Sequence, residues 1–166
     1  MYTQQSPAKS KNAPPLLRDG LGMLTRKLYF HMFRSAGRLF QKYDASVEQY
    51  IVLATLAEED GVTQQELVKR CISDPRTMGK MVDVLEKRGW VKRAPHQTDR
   101  RAWQIMLSAE GRKKHQLMEK ALIPQRAIPG RVLGAEKVEE LKQMIALLSD
   151  ELDPDKWLSA DGKPVG

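Results

Sequence analysis

Basic side chains are concentrated in one stretch of this 166-residue chain, and the chemistry that such a cluster serves is phosphate binding. Residues 69–101 hold ten lysines and arginines against four acidic residues, a surplus of six positive charges. The whole chain has a formal net charge of +7, so this short stretch carries nearly all of it. Charge alone does not distinguish a phosphate-binding surface from a solvated basic face, so the interpretation depends on the elements that the stretch forms.

Patterns for other kinds of chemistry are missing from the sequence. There is no P-loop, no dinucleotide-binding glycine motif and no nucleophile elbow, so we expect neither an enzyme nor a cofactor. His31, His96 and His115 lack the spacing of metal ligands, and no metal site is expected. The single cysteine, Cys71, cannot form an intrachain disulfide. It falls on the apolar face of a predicted helix, which favours inert packing over a redox-sensing role.

Two short helices are predicted at the start of the basic stretch. Ser46 is a plausible N-cap for a helix over about 47–58, and the Asp60-Gly61 pair closes that helix. Thr63 and Glu66 have the spacing of a capping box, which predicts a second helix that ends near residues 70–72.

A third predicted helix presents basic residues opposite an apolar stripe. Asp74 is its expected N-cap, Pro75 occupies the first helical position and Gly89 ends it. The stripe follows the i, i+3, i+4, i+7 spacing at Met78, Met81, Val82 and Leu85. The opposite face carries Arg76, Lys80, Asp83 and Lys87, and we expect Lys87 to pair with Asp83 one turn away.

The hydrophobic period then changes from helix to strand. Residues 90–94 and 102–107 are predicted as two strands, with Trp103, Ile105 and Leu107 alternating against their neighbours. The seven residues between them are too many for a tight turn, so we expect an extended hairpin tip that contains Arg100 and Arg101. Lys92 and Arg93 fit either phosphate contact or a solubilising role.

Together these elements predict a mainly α (α+β) chain built around a winged helix-turn-helix, with double-stranded DNA as its partner. The major groove of B-DNA admits one α-helix, so Arg76, Thr77 and Lys80 would face the bases from the leading end of the third helix. The hairpin would place Arg100 or Arg101 in the adjacent minor groove, where the potential is most negative.

Helices are also predicted at both ends of the chain. Apolar residues recur with helical spacing from residue 16 to about 42. Ser108 caps a later helix that Pro124 and Pro129 interrupt or end. The last helix, over about 135–152, carries an apolar seam that steps by three and four residues and suits packing against another helix. The predicted organisation is a disordered tail at 1–15, a first helix at 16–45, the winged helix-turn-helix at 46–107, further helices at 108–152 and a loose tail at 153–166.

The order and spacing of these motifs resemble the MarR family of bacterial transcriptional regulators over roughly residues 20–150. The segments that carry the resemblance are 66–70, 82–93, Thr98-Asp99-Arg100-Arg101 and Leu107-Ser108-Ala109-Glu110-Gly111-Arg112. The family's Asp-x-Arg wing motif matches at Asp99 and Arg101. The resemblance implies that Asp99 positions Arg101, and that Arg76, Thr77 and Lys80 read or flank bases.

The resemblance further implies a homodimer formed through the terminal helices and a small, often aromatic ligand that weakens DNA binding. The residues expected at the dimer interface are Leu21, Leu24, Leu28, Val138, Leu141, Ile145 and Leu148. His31 and Arg34 on the first helix are expected to face the effector and pair with a carboxylate. The two prolines depart from the family, which usually has a continuous helix at that place.

Two alternatives follow from the same elements. One is a winged-helix regulator without a small-molecule effector, and the other is a winged-helix module that binds proteins instead of DNA. A steep fall in DNA affinity as the salt concentration rises would distinguish DNA binding from protein binding. The sequence contains neither a membrane-spanning run nor a signal peptide, so we expect a cytoplasmic protein and no membrane partner.

Overall fold

A computed structural model of the chain describes residues 20–95, 103–159 and 163. The predicted tail at 1–15 lies outside these ranges. The elements in chain order are α1 (Leu21–Phe40), a 3-10 turn (Gln41–Tyr43), α2 (Val47–Glu58), β1 (Val62–Thr63), α3 (Gln64–Arg70), α4 (Pro75–Lys87), β2 (Val91–Pro95), β3 (Trp103–Leu107), α5 (Ala109–Leu133), α6 (Ala135–Glu151) and α7 (Pro154–Trp157). The chain divides into two compact units, residues 1–121 and 122–166.

Local capping determines where the central helices begin, as the sequence predicted. The Ser46 hydroxyl accepts a hydrogen bond from the Gln49 amide at 3.2 Å, and the Gln49 side chain accepts one from the Ser46 amide at 3.1 Å. Thr63 and Glu66 make the same reciprocal pair at the start of α3. These bonds satisfy amides that have no partner within the helix, so each start position is defined by residues within one turn of it.

The sheet is antiparallel with strand order β1-β3-β2. Val91 pairs with Leu107 at one end of the hairpin and Pro95 pairs with Trp103 at the other. Ile105 and Leu107 are buried, as the alternation predicted, but Trp103 is 56% exposed because the hairpin extends past the core towards its tip. β1 was not predicted, since a strand of two residues has no period to detect; it pairs Val62 with Ile105.

The core of the first unit brings together side chains from every helix and strand around the predicted winged helix-turn-helix. Met78, Val82 and Leu85 on the predicted stripe of α4 are buried, and Met81 is half-buried. The other large side chains that are fully buried in the described ranges are Phe40, Val52, Leu53, Leu56, Leu67, Ile105 and Met118. This packing anchors α4 by its apolar face and leaves its opposite face in solvent.

Helix α5 continues through two prolines that were predicted to interrupt or end it. Pro124 and Pro129 lie inside α5, which continues to Leu133, so the predicted interruption is wrong. Each proline removes one i→i−4 hydrogen bond, whereas every other residue of an established helix adds one. The helix ends instead at Gly134, whose φ of +85° separates α5 from α6.

A short capped helix follows α6, in a segment that the sequence predicted to be loose. Asp153 accepts a hydrogen bond from the Asp155 amide at 3.1 Å and so caps α7. Within residues 20–95 and 103–159, no helix combines the length and apolar character needed to cross a membrane.

Candidate nucleic-acid interface

The leading end of α4 presents uncompensated positive charge to solvent. Arg76, Thr77 and Lys80 are all exposed. Asp74 accepts a hydrogen bond from the Thr77 amide at 2.9 Å. The Thr77 side chain, and after it this amide, lower the pKa of the Asp74 carboxyl. Among the described residues, no acidic side chain forms an ion pair with Arg76 or Lys80, so both cations remain available to phosphates.

Arg93 attaches the base of the hairpin to the same helix. One of its guanidinium nitrogens lies 2.6 Å from Asp83 Oδ1, and another bonds to Glu86. Partial burial lowers the pKa of Arg93, but the bonds to Asp83 and Glu86 raise it by more, so the net pKa is raised. The predicted Asp83–Lys87 pair is therefore wrong, because Asp83 pairs with a residue that the hairpin brings back alongside α4. The ion pairs give Arg93 a structural role as a tether, and its contact with phosphates stays a prediction.

The strands beyond Arg93 form the stem of the predicted wing. The paired positions Pro95 and Trp103 close the described part of the hairpin. Asp99, Arg100 and Arg101 belong to the segment 96–102, which lies outside the described residues. Their roles at the wing tip therefore remain predictions.

Asp60 has a structural role that the sequence did not indicate. Its Oδ1 accepts a hydrogen bond from the Leu107 amide at 2.7 Å, and its Oδ2 lies 3.2 Å from the Arg112 guanidinium. The carboxylate thus joins the end of α2 to β3 and to the start of α5. Sequence reasoning identified only a turn at this position, since the partners are about fifty residues away.

A polar cluster holds α5 against α2 within the first unit. The Tyr50 hydroxyl donates a hydrogen bond to Glu119, and the Tyr50 ring stacks on His115 with centroids 5.8 Å apart. His115 Nε2 lies 3.5 Å from the same carboxylate. On its other side Tyr50 contacts Phe40, with ring centroids 5.0 Å apart. His115 therefore has a packing role in this cluster. Across the described ranges, His, Cys, Asp and Glu side chains nowhere form a group of three placed to hold a metal ion.

A cavity of about 170 Å³ lies beside α4 in the first unit. It is formed by α1, α2, the loop between α3 and α4, and α4 itself. The lining residues are Tyr29, Phe33, Glu48, Ile51, Val52, Cys71, Ile72, Ser73, Thr77, Met78 and Met81. His31 and Arg34, predicted to face an effector, are exposed on α1 and are not among them. Helical spacing explains the difference, because residue 31 lies about 200° around the helix from residue 29.

Two lining residues in the α3–α4 loop have unusual environments. Ile72 has a φ of +51° although its side chain is β-branched, and it is 94% exposed. This left-handed conformation is costly for such a residue. Cys71 lies 3.5 Å from the Thr55 hydroxyl and is half-buried. Burial raises the pKa of its thiol, and the Thr55 contact offsets only part of the rise.

Apolar side chains are exposed on α1 and α6, as expected for surfaces that a further partner would cover. On α1, Leu21, Leu24 and Leu28 are each at least half exposed. On α6, Ile145 and Leu148 are exposed, whereas Val138 and Leu141 are half-buried.

Comparison with known proteins agrees with this geometry. Residues 46–103 match the model of the MarR family. Transcriptional regulator HosA from Escherichia coli is 31% identical over 100 residues, which are 55% of this chain and 72% of HosA.

Two examples illustrate the solved structures that share the fold. One is the transcriptional repressor CouR bound to a 23-mer DNA duplex, with a TM-score of 0.76 and 23% identity over 87% of this chain and 99% of CouR. The other is the PcaV transcriptional regulator from Streptomyces coelicolor in complex with its natural ligand, with a TM-score of 0.69 and 23% identity over 83% of this chain and 96% of PcaV. With its winged helix-turn-helix, its matching family segment and a relative of this similarity, the chain belongs to the MarR family of DNA-binding transcriptional regulators.

Proposed function

We propose that this protein is a homodimeric repressor that binds an operator and is released from it by a small ligand. The observation that carries the DNA-binding part is the leading end of α4, where Arg76 and Lys80 are exposed and unpaired while Arg93 attaches the hairpin to the same helix. CouR, which shares the fold, is described as a repressor bound to a DNA duplex.

In this proposal, α4 enters the major groove and the wing enters the minor groove. Arg76, Thr77 and Lys80 contact bases or the adjacent phosphates. Arg101, positioned by Asp99, inserts into the narrow minor groove, and Arg100 contacts it or the flanking phosphates. A two-fold symmetric dimer would place its two recognition helices in successive major grooves about 34 Å apart.

The exposed apolar faces support dimerisation. Leu21, Leu24 and Leu28 on α1 form one such face, and a second follows the seam of α6 at Val138, Leu141, Ile145 and Leu148. A second copy of the chain that covers both faces would remove this surface from water.

The cavity supports the ligand-dependent part. It is lined by residues of α1, α2 and α4, so a ligand bound there contacts the helix that is proposed to bind DNA. A ligand that favours a dimer with incorrectly spaced recognition helices would shift the population away from the DNA-bound form. Tyr29 and Phe33 therefore replace His31 and Arg34 as the α1 residues proposed to contact the effector.

A gel shift on the DNA upstream of the protein's own gene tests operator binding. A shift that survives excess competitor DNA and weakens steeply with salt, by about 0.9 log units per log unit of salt for each phosphate contact, is expected. Arg101→Ala should weaken specific binding by about 1–3 kcal/mol. Lys113→Ala, which removes an exposed charge from α5, is the matched control and should leave affinity unchanged. A flat salt response would instead favour a protein-binding winged helix.

Light scattering tests the dimer. Leu141→Asp combined with Leu148→Asp should yield monomers, because two carboxylates would have to be buried at the seam. Gln143→Asp, on the opposite side of α6, should remain dimeric. A double variant that stays dimeric would exclude the α6 seam from the interface.

A further inference from the structure

The cavity beside α4 has an acidic and otherwise neutral lining. Glu48 is its one charged side chain among the described residues that line it. The described lining residues include no lysine, arginine or histidine. The Cys71 thiol has a raised pKa and is therefore neutral near pH 7. Nothing in this lining would compensate the charge of a bound carboxylate.

The helix ends beside the cavity do not supply that compensation either. Helix N-termini attract anions through amides that lack partners within the helix. Thr77 lines the cavity from the first turn of α4, but its amide already donates to Asp74. Glu48 stands in the first turn of α2 and places a second carboxylate at a helix start. An anionic ligand would therefore meet the Glu48 carboxylate, and neither helix start would offset that charge.

The size and aromatic content of the cavity limit the ligand further. Its volume of about 170 Å³ is close to that of an apolar cavity of about 150 Å³ that holds benzene, so it accommodates one ring with a short substituent. Tyr29 and Phe33 have ring centroids 5.6 Å apart and provide π faces, which attract cations. Met78 and Met81 supply polarizable sulfur that packs well against aromatic rings.

We propose that the ligand of this cavity is a lipophilic cation, a single aromatic ring with a short protonated amine arm, and not an aromatic carboxylate. This inference rests on the proposed function, in which the cavity holds the effector. The ammonium group pairs with Glu48 where the cavity opens to solvent, and the ring packs between the aromatic residues of α1 and the methionines of α4. The chain's net charge of +7 does not oppose this, because charges beyond about 8 Å are screened at physiological ionic strength.

Isothermal titration calorimetry with three probes of nearly equal shape tests the charge preference. The probes are 2-phenylethylamine, the neutral 2-phenylethanol and the anionic 3-phenylpropanoate, each titrated into the full-length protein at pH 7. The amine should bind most tightly and the carboxylate least. Glu48→Gln should weaken amine binding about five- to tenfold and leave the alcohol unchanged. Glu58→Gln, which changes the net charge equally at the other end of α2, should leave all three affinities unchanged.

Each other outcome overturns a defined part of this inference. Tighter binding of 3-phenylpropanoate than of the amine would overturn the cationic class while leaving the cavity as an effector site. Amine binding that Glu48→Gln does not weaken would overturn the pairing with Glu48. If none of the probes binds, the ligand class is overturned and ligand-dependent release loses its proposed site. DNA binding is decided separately by the gel shift in the absence of any probe.

Discussion

Gly111 lies where the first turn of α5 crosses the chain just before β2, and it leaves no room for a side chain. A Cβ atom built at this position would lie 1.9 Å from the Trp90 carbonyl oxygen and 3.1 Å from Leu107 Cδ1. The same carbonyl accepts a hydrogen bond from the Ser108 amide at 3.0 Å. We therefore expect Gly111→Ala to force the helix and this segment apart.

The expected destabilisation can be assembled from three contributions. Overpacking costs about 1–3 kcal/mol, and the upper part of that range applies because a backbone carbonyl cannot rotate away as a side chain can. Weakening the Ser108–Trp90 hydrogen bond costs about 0.5–1.5 kcal/mol. The higher helix propensity of alanine offsets about 1 kcal/mol of this destabilisation. The net loss is about 2–3 kcal/mol, which corresponds to a fall in Tm of about 4–12 °C for a chain of this length.

Urea unfolding followed by circular dichroism at 222 nm measures this loss. Protein concentration must be equal for all variants, since the proposed dimerisation would contribute to apparent stability. Gly130→Ala is the matched control: it lies in the same helix, a Cβ there meets nothing within 4 Å, and stability should rise by up to about 1 kcal/mol. A Gly111→Ala protein within about 0.5 kcal/mol of wild type would refute the steric argument.

Three further predictions follow from the described contacts. Ile72→Asn should raise the free energy of unfolding by about 1 kcal/mol, because asparagine adopts a left-handed conformation more readily and the 94% exposed isoleucine loses little burial; a less stable variant in urea would contradict this. Arg93→Ala should weaken operator binding several-fold in the gel shift, because Asp83 and Glu86 no longer hold the hairpin. Lys92→Ala removes the same charge from β2 but leaves both ion pairs intact, and equal loss of binding in the two variants would contradict the role of the tether. At pH 7.5 iodoacetamide should alkylate Cys71 several-fold more slowly in the native protein than in urea, because burial raises the pKa of the thiol and lowers the thiolate fraction at every pH below it; equal rates would show that the thiol is not protected.

The DNA-binding elements could be predicted in detail because their signals are local. Ser46, Thr63 and Asp74 each cap a helix by bonding to an amide three residues away, so their roles are visible in a few letters of sequence. The stripe on α4 and the alternation in β3 likewise reflect the periods of helix and strand. The same reasoning identified the exposed Arg76 and Lys80.

Sequence reasoning was insufficient where the outcome depends on residues distant in the chain. Asp83 was expected to pair with Lys87 on its own helix, but the hairpin returns Arg93 to it. The effector contact of His31 and Arg34 stays a prediction, but the α1 residues that line the cavity beside α4 are Tyr29 and Phe33. Which face of α1 borders a cavity depends on how α1 packs against α2 and α4, and helical periodicity does not contain that information.

By itself, then, the sequence determined the helix starts, the basic leading end of α4 and the hairpin after it, since each depends on bonds and periods within a few residues. Only the tertiary structure decided the Arg93 tether, the joining role of Asp60 and the acidic character of the cavity. Those features are made by side chains from separate elements whose distances exist only after packing. Helix α5 was determined by neither source alone. Local rules predict that its prolines break the helix, but the cooperativity of a long helix overrides them.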